Sequence, residues 1–188
     1  ACGVMDSGTP YCWPDTGSYA GSWGFLPKGS YKKLVVDYDH ACGVTTDGQL
    51  HCWGGGNAGY QNGYGKTVVP AGSYQDVAVG QQHTCALRAD GSIVCFGAGT
   101  TKQWNSPHLQ QSRPPKGIFS SLACGSSHCC AIAKSSGAVA CWGQGKKETT
   151  SSDDLGQSLP PSGAFKSLAL APWYTCGLRV AGEIACWG

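Results

Sequence analysis

Charge is scarce in this sequence. Asp, Glu, Lys and Arg make up 13% of the 188 residues, the formal net charge is +2 at pH 7, and no basic run exceeds the pairs Lys32-Lys33 and Lys146-Lys147. A nucleic-acid surface needs a broader positive field to release counterions from a phosphate backbone. The composition therefore predicts no nucleic-acid partner.

The motifs of common enzymes are also missing. Only two glutamates occur, Glu148 and Glu183, and no carboxylate pair for glycoside hydrolysis can be picked out. The chain contains no Gly-x-Ser-x-Gly elbow, phosphate-binding loop or His-Glu-x-x-His segment. The cluster Asp37-Tyr38-Asp39-His40 offers two carboxylates, too few for a calcium site. We therefore predict that the protein is not an enzyme and needs no cofactor or metal.

No apolar run approaches the length of a membrane span, so we expect no membrane insertion. A signal peptide is not visible either. The chain opens at Ala1-Cys2, as expected of a processed chain or of a segment cut from a longer one.

Glycine, aromatic residues and cysteine are abundant, with 29 Gly, seven Trp, eight Tyr and 12 Cys. Together with Ser, Thr and Val, they favour short strands joined by tight turns, which is an all-β composition. An even and high cysteine count predicts disulfides in an oxidising compartment and metal binding in a reducing one. The cysteine spacing favours the first alternative and hence a secreted, extracellular or cell-surface protein.

One cysteine-bounded pattern recurs five times. The first cysteines of successive copies are separated by 40, 43, 45 and 46 residues, a period typical of propellers and solenoids. We predict an all-β, β-propeller-like array with one disulfide-stapled hairpin per repeat. It forms a single repeat domain over 1–188, either by itself or as part of a longer array. The predicted hairpins are 2–12, 42–52, 85–95, 130–141 and 176–186.

Each copy reads as a β-hairpin whose two cysteines face each other. In the second copy, Asp47-Gly48 is a strong turn dipeptide, and a three-residue loop ending at Gly48 pairs Thr45 with Gln49 and Cys42 with Cys52. The fourth copy is one residue longer, and a four-residue loop over 134–137 keeps its cysteines opposed. Opposed cysteines on antiparallel strands can be bridged. The predicted hairpin disulfides are Cys2–Cys12, Cys42–Cys52, Cys85–Cys95, Cys130–Cys141 and Cys176–Cys186.

Two cysteines lie outside this pattern, Cys124 and Cys129. The simplest prediction is a sixth, local disulfide between them. The alternative is a Cys/His metal site with His128, for which further ligands are not evident. An apolar strand is also predicted before each of the last four hairpins, at 31–38, 74–80, 119–125 and 165–171.

The order of strand, Gly-x-x-His, Asp-Gly hairpin and Trp-Gly resembles the regulator of chromosome condensation repeat. The third copy shows it as Gly80-Gln-Gln-His83, then Asp90-Gly91, then Phe96-Gly97. The resemblance implies a β-propeller. The paired cysteines depart from the nuclear members and look like the ectodomains of plant crinkly-type receptor kinases. We therefore do not carry over nucleotide exchange or chromatin binding.

Three histidines fall at equivalent positions, His40, His83 and His128, and Tyr174 replaces them in the last copy. A histidine ring could bind a metal near a propeller axis. We favour the simpler interpretation that each histidine fixes its own turn by a side-chain hydrogen bond.

Aromatic residues at the end of each hairpin are expected to pack between repeats. The aromatics of the long loops are better ligand candidates, because they stand beside Asn, Gln and Gly and could form protein hot spots or stack on sugar rings. The alternative is that they cap the core locally. The candidate ligand-binding residues are Trp23, Tyr60, Tyr64 and Trp104.

The sequence holds five hairpins but four preceding strands, which predicts sheet edges that another strand could complete. The leading hypothesis is an extracellular, non-catalytic binding or structural module that self-assembles through incomplete terminal blades. The alternative is a secreted inhibitor or a lectin that uses the loop aromatics. The predicted partner is thus a protein, a glycan or another copy of the chain.

Overall fold

The computed structural model describes residues 2–12, 28–55, 64–99, 109–146 and 155–188. These residues form fourteen β-strands and no helix. Within the same ranges, no helix is therefore long and apolar enough to cross a membrane. The all-β prediction is confirmed.

The strands form five antiparallel sheets, numbered here in chain order. Sheet 1 consists of β1 (Cys2–Val4) and β2 (Pro10–Cys12). Sheet 2 consists of β3 (Tyr31–Asp37), β4 (His40–Thr45) and β5 (Leu50–Gly54). Sheet 3 consists of β6 (Tyr74–Val79), β7 (His83–Arg88) and β8 (Ile93–Gly97). Sheet 4 consists of β9 (Phe119–Cys124), β10 (His128–Ala133) and β11 (Val139–Gly143). Sheet 5 consists of β12 (Phe165–Leu170), β13 (Thr175–Arg179) and β14 (Ile184–Trp187).

The hairpin register is the predicted one. Cys42 lies opposite Cys52, and the Thr45 amide donates to the Gln49 carbonyl at 2.9 Å. Gly48 closes this turn with a φ of 88°, a left-handed conformation that glycine adopts at little steric cost. The longer fourth hairpin also keeps its cysteines opposed, as predicted.

Disulfides cross the hairpins of sheets 2 to 5, and a further disulfide joins Cys124 to Cys129. The pairings Cys42–Cys52, Cys85–Cys95, Cys124–Cys129, Cys130–Cys141 and Cys176–Cys186 are therefore confirmed. In sheet 1, Cys2 lies opposite Cys12 in the backbone register, and the side chain of Cys12 is outside the described part of the chain. Cross-strand disulfides of this kind shorten the unfolded chain and are typical of proteins from oxidising environments.

Each hairpin turn is hydrogen-bonded to the first strand of the next sheet. The carbonyl of a turn glycine accepts the backbone N–H of the aromatic residue that begins that strand, at 2.8 Å in all four cases. The pairs are Gly8 with Tyr31, Gly48 with Tyr74, Gly91 with Phe119, and Gly137 with Phe165. These four aromatic side chains are almost fully buried. The bond and the buried ring together set the spacing between neighbouring sheets.

The apolar core lies between sheets, not within one. One cluster joins Cys42, Val44 and Leu50 of sheet 2 to residues of sheet 3, including Val77 and Phe96. A second cluster joins the corresponding face of sheet 3 to sheet 4. We call the face that meets the following sheet the forward face, and the opposite face the rear face. Burial of each forward face by the next sheet is the packing of a β-propeller-like array.

Candidate functional site

The predicted loop aromatics are mostly beyond what the structure describes. Trp23, Tyr60 and Trp104 lie outside the described residues. Tyr64 is half-buried at the start of the turn over 64–67, where its backbone has a φ of 46°. A role for these four side chains in ligand binding stays a prediction.

The three equivalent histidines connect neighbouring sheets. His40 Nε2 lies 3.0 Å from Thr84 Oγ1 in the next sheet, and His128 Nε2 lies 2.9 Å from Thr175 Oγ1. His83 Nε2 lies 2.9 Å from Cys129 Sγ, again in the next sheet. The prediction that each histidine fixes its own turn was wrong. Pairing within one repeat could not reveal this, because the partner lies 44 to 47 residues further along the chain.

Their partners show that these imidazole rings donate from Nε2. Thr84 Oγ1 already donates its hydrogen to the Lys66 carbonyl at 2.8 Å, and a disulfide sulfur such as Cys129 Sγ has no hydrogen. The histidine must therefore supply the proton in both bonds. Burial lowers the pKa of His83 to about 3 and that of His40 and His128 to about 4. These rings are thus neutral donors at physiological pH and do not form a cationic ring.

Glycine makes room for two of the rings. A Cβ on Gly80 would lie 2.2 Å from His83 Cε1, and one on Gly125 would lie 2.5 Å from His128 Cε1. This steric requirement explains the Gly-x-x-His spacing. In sheet 2 the position is Asp37, whose pKa is raised by burial.

Three short turns in the long connections form a feature that sequence reasoning missed. They lie at 64–67, 109–112 and 155–158, and each buries one long polar side chain, Lys66, Gln111 or Gln157. The carbonyl oxygen of the buried residue accepts hydrogen bonds from the following sheet. Thr84 Oγ1, Trp142 Nε1 and Trp187 Nε1 are the respective donors. The motifs Gly-Lys-Thr, Gln-Gln-Ser and Gly-Gln-Ser, each located after a variable loop, were the available signal.

Lys66 forms an ion pair with Asp39, the acidic residue that directly precedes His40. Its buried ammonium group donates to both carboxylate oxygens of Asp39, at 2.7 and 2.9 Å, and to Gln82 Oε1 at 3.0 Å. A buried charge is tolerated only when it is paired and hydrogen-bonded in this way. Asp39 is therefore held in an ion pair that ties sheet 2 to the connection before sheet 3.

Sulfur atoms meet at the contact between sheets 3 and 4. Cys129 Sγ lies 3.6 Å from Cys85 Sγ, and the ligand atoms of His83, Cys85, Cys124 and Cys129 all lie within 4.8 Å of one another. The three cysteines are disulfide-bonded, and the thiolate, not the disulfide, is the form that ligates metals. In this state the cluster is two touching disulfides beside an imidazole donor.

The forward face of sheet 5 differs from those of sheets 2 and 3. Leu50 on sheet 2 is 6% exposed, whereas its equivalent Ile184 on sheet 5 is 75% exposed. Tyr174, which occupies the histidine position, is 53% exposed, whereas all three histidines are fully buried. Sheet 5 therefore presents an apolar surface of the kind that sheets 2 and 3 bury.

A family model for the regulator of chromosome condensation (RCC1) repeat matches residues 38–61 and 74–103, which cover the hairpins of sheets 2 and 3. These two segments carry repeats of the RCC1 type. The likeness extends over the whole chain at the level of fold, as the solved structures show. No curated protein sequence matches the chain at a significant level.

Solved structures similar to this chain include two plant ectodomains. The ectodomain of receptor kinase CR4 from Physcomitrella patens has a TM-score of 0.73 and 24% identity, covering 100% of this chain and 48% of that one. The CRINKLY WD40 ectodomain of receptor kinase ACR4 from Arabidopsis thaliana has a TM-score of 0.50 and 22% identity, covering 100% and 75%.

A yeast protein shares the fold. Prp20p from Saccharomyces cerevisiae has a TM-score of 0.61 and 18% identity, covering 84% of this chain and 43% of that one. The chain thus spans about half the length of the Physcomitrella ectodomain and less than half of Prp20p. At these identities the comparisons establish the propeller-type fold, which itself hosts many functions.

Proposed function

We propose that the protein is an extracellular, non-catalytic repeat module that acts by binding other proteins, and that one of its partners is a second copy of the chain. The observation that carries this proposal is the exposed forward face of sheet 5. An apolar face that the other sheets bury is the kind of surface that marks a protein–protein contact.

The chemistry of that face favours a sheet of the same type as its occupant. Forward faces in this fold are covered by rear faces, which bring an aromatic ring and small or branched apolar residues. The rear face of sheet 1 carries Tyr11, which is 47% exposed. A second copy can therefore place its sheet 1 against sheet 5 of the first, in a head-to-tail contact that gives a ring or a filament.

Disulfides and structural relatives support an extracellular location. Five disulfides in the described residues are typical of chains that fold in an oxidising environment. Two of the similar structures are ectodomains of receptor kinases. Prp20p, with the same fold, is described by its binding to Gsp1p and histones, which supports proteins as the partner class for this architecture.

The test is the molar mass of the native, non-reduced protein, measured by light scattering after size exclusion over a range of concentrations. We expect oligomers that grow with concentration. Ile184→Lys on the exposed face should return the protein to a monomer, because it places a charge at the centre of the contact. Val68→Lys is the matched control: Val68 is 56% exposed but lies in the connection before sheet 3, so oligomers should persist.

A monomer at every concentration would reject self-association and leave the binding of other proteins or of glycans to be tested separately. In that case a glycan or protein binding screen with Trp104→Ala and Tyr60→Ala would test the inhibitor or lectin hypothesis. Each substitution should weaken ligand affinity by about 1–3 kcal/mol if the loop aromatics bind the ligand.

A further inference from the structure

We propose that the Cys124–Cys129 disulfide is a thiol-exchange site, at which an external monothiol becomes bonded to Cys124 while Cys129 leaves as a thiolate next to His83. The proposal does not depend on self-association. It rests on the position of this disulfide in the repeat, on the unequal burial of its two cysteine residues and on the donor that faces Cys129.

The first observation is that this disulfide is an addition to the repeat. Cys124 and Cys129 face each other on the last rung between the first two strands of sheet 4. The same rung is Val79 with Thr84 in sheet 3 and Leu170 with Thr175 in sheet 5. Those sheets are complete without a bond at this rung, so the fold does not require one there.

The second observation is the difference in exposure between the two cysteine residues. Cys124 is half-buried and retains contact with solvent, whereas Cys129 is fully buried. Of this pair, only the residue Cys124 is therefore in contact with solvent. Because thiol–disulfide exchange depends on which sulfur is accessible, attack occurs at Cys124 and Cys129 is the leaving group.

The third observation is the hydrogen-bond donor that lies next to the sulfur of Cys129, the leaving group. His83 Nε2–H points at Cys129 Sγ from 2.9 Å, and the ring stays neutral because burial lowers its pKa. A hydrogen bond to a thiolate stabilises the charged form and so opposes the effect of burial on that sulfur. A leaving thiol of lower pKa leaves faster. His83 is a positioning residue in this step, and its counterparts His40 and His128 contact threonine instead.

The step is balanced without an oxidant. The external thiol, of the glutathione class, loses its proton to solvent and its sulfur bonds to Cys124 Sγ. The Cys124–Cys129 bond breaks, and its electron pair stays on Cys129 Sγ, which accepts the hydrogen bond from His83. Attack by Cys129 on the mixed disulfide reverses the step and releases the thiol. The product is a reversible thiol adduct at Cys124.

Exposure alone predicts a different order of reactivity, which makes the proposal testable. Cys186 is exposed and Cys176 is half-buried, so the Cys176–Cys186 bond is more accessible than Cys124–Cys129. The native protein, diluted to a concentration at which it is monomeric, is incubated with glutathione without denaturant. Samples are quenched with acid at timed intervals, alkylated in denaturant and mapped by mass spectrometry. We expect the first adduct at Cys124, forming about ten times faster than any adduct at Cys176 or Cys186.

Two matched variants test the role of the imidazole. His83→Gln and His128→Gln remove equivalent buried rings, but only His83 contacts Cys129. We expect about tenfold slower adduct formation at Cys124 in the first variant and a change below about twofold in the second. Equal rates in the two variants would overturn the role of His83. The proposal would be overturned if Cys176–Cys186 opened before Cys124–Cys129, or if the adduct formed on Cys129. The adducts mapped in the unmutated protein decide this even if neither variant folds.

Discussion

Sheets 3 and 5 have the same strand order, the same turn and the same disulfide, yet one is enclosed and the other is not. Leu87 on sheet 3 is fully buried, whereas Leu178, at the same position on sheet 5, is half-buried. The difference shows that a repeat of this type does not bury its own apolar residues. Each sheet depends on the following one, which is the nearest-neighbour stability expected of repeat proteins.

Acid should have the largest effect on stability, because each of the three contacts between sheets 2, 3, 4 and 5 contains one histidine with a lowered pKa. The folded protein keeps these rings neutral, whereas the unfolded chain protonates them below about pH 6.5. The unfolded state then binds more protons, so the stability falls as the pH is lowered. The loss begins near pH 6.5 and continues until the folded pKa values of about 4 and 3 are reached.

Each lowered pKa unit corresponds to about 1.4 kcal/mol. We therefore expect a loss of several kcal/mol in the free energy of unfolding between pH 6.5 and pH 4.5, measured by urea denaturation at stepped pH. Sheet 5 contributes nothing to this loss from its own histidine position, which is Tyr174. A constant unfolding free energy over this range would show that the histidines are not neutral and buried in the native state.

Truncation of the equivalent leucines in sheets 3 and 5 should lower the free energy of unfolding less than acid does, and by a different amount in each sheet. Leu87→Ala leaves a cavity between sheets 3 and 4 and should cost about 2–5 kcal/mol. Leu178→Ala removes less buried surface and should cost about 1 kcal/mol. Both losses are to be measured by urea unfolding at a protein concentration low enough to prevent association. Similar costs at the two sites would mean that the forward face of sheet 5 is covered in solution.

The smallest expected loss of stability is that of an arginine that lies over an aromatic ring, and it should be the same in sheets 3 and 5. Arg88 lies over the Tyr74 ring at 5.7 Å, and Arg179 lies over the Phe165 ring at 4.9 Å. Each guanidinium also donates to a loop carbonyl, that of Ala71 at 3.2 Å or Ser162 at 2.7 Å. Because both contacts lie within one repeat, Arg88→Ala and Arg179→Ala should each lower the unfolding free energy by about 1 kcal/mol. A clearly unequal pair of values would locate part of this contact outside the repeat.

The contacts that could be predicted from the sequence are those between near neighbours in the chain. The cysteine period, the Asp-Gly turns and the opposition of Cys42 to Cys52 follow from local pairing rules, and the structure shows them as predicted. The partners of His83 and Lys66 could not be found in this way, because those contacts cross from one repeat to the next. Local pairing rules predict the structure of one repeat, whereas the buried polar contacts of His83 and Lys66 join two repeats.

The hydrogen bond from each hairpin turn to the following sheet has a consequence for how such chains diverge. The fourth hairpin carries an extra residue, yet the Gly137 carbonyl still accepts the Phe165 amide at 2.8 Å, as Gly48 does for Tyr74. The contact between a turn and the following sheet is thus the same in hairpins of different length. A hairpin of this type can therefore gain a residue in its loop without losing its attachment to the next sheet, so a change in one repeat need not disturb its neighbour.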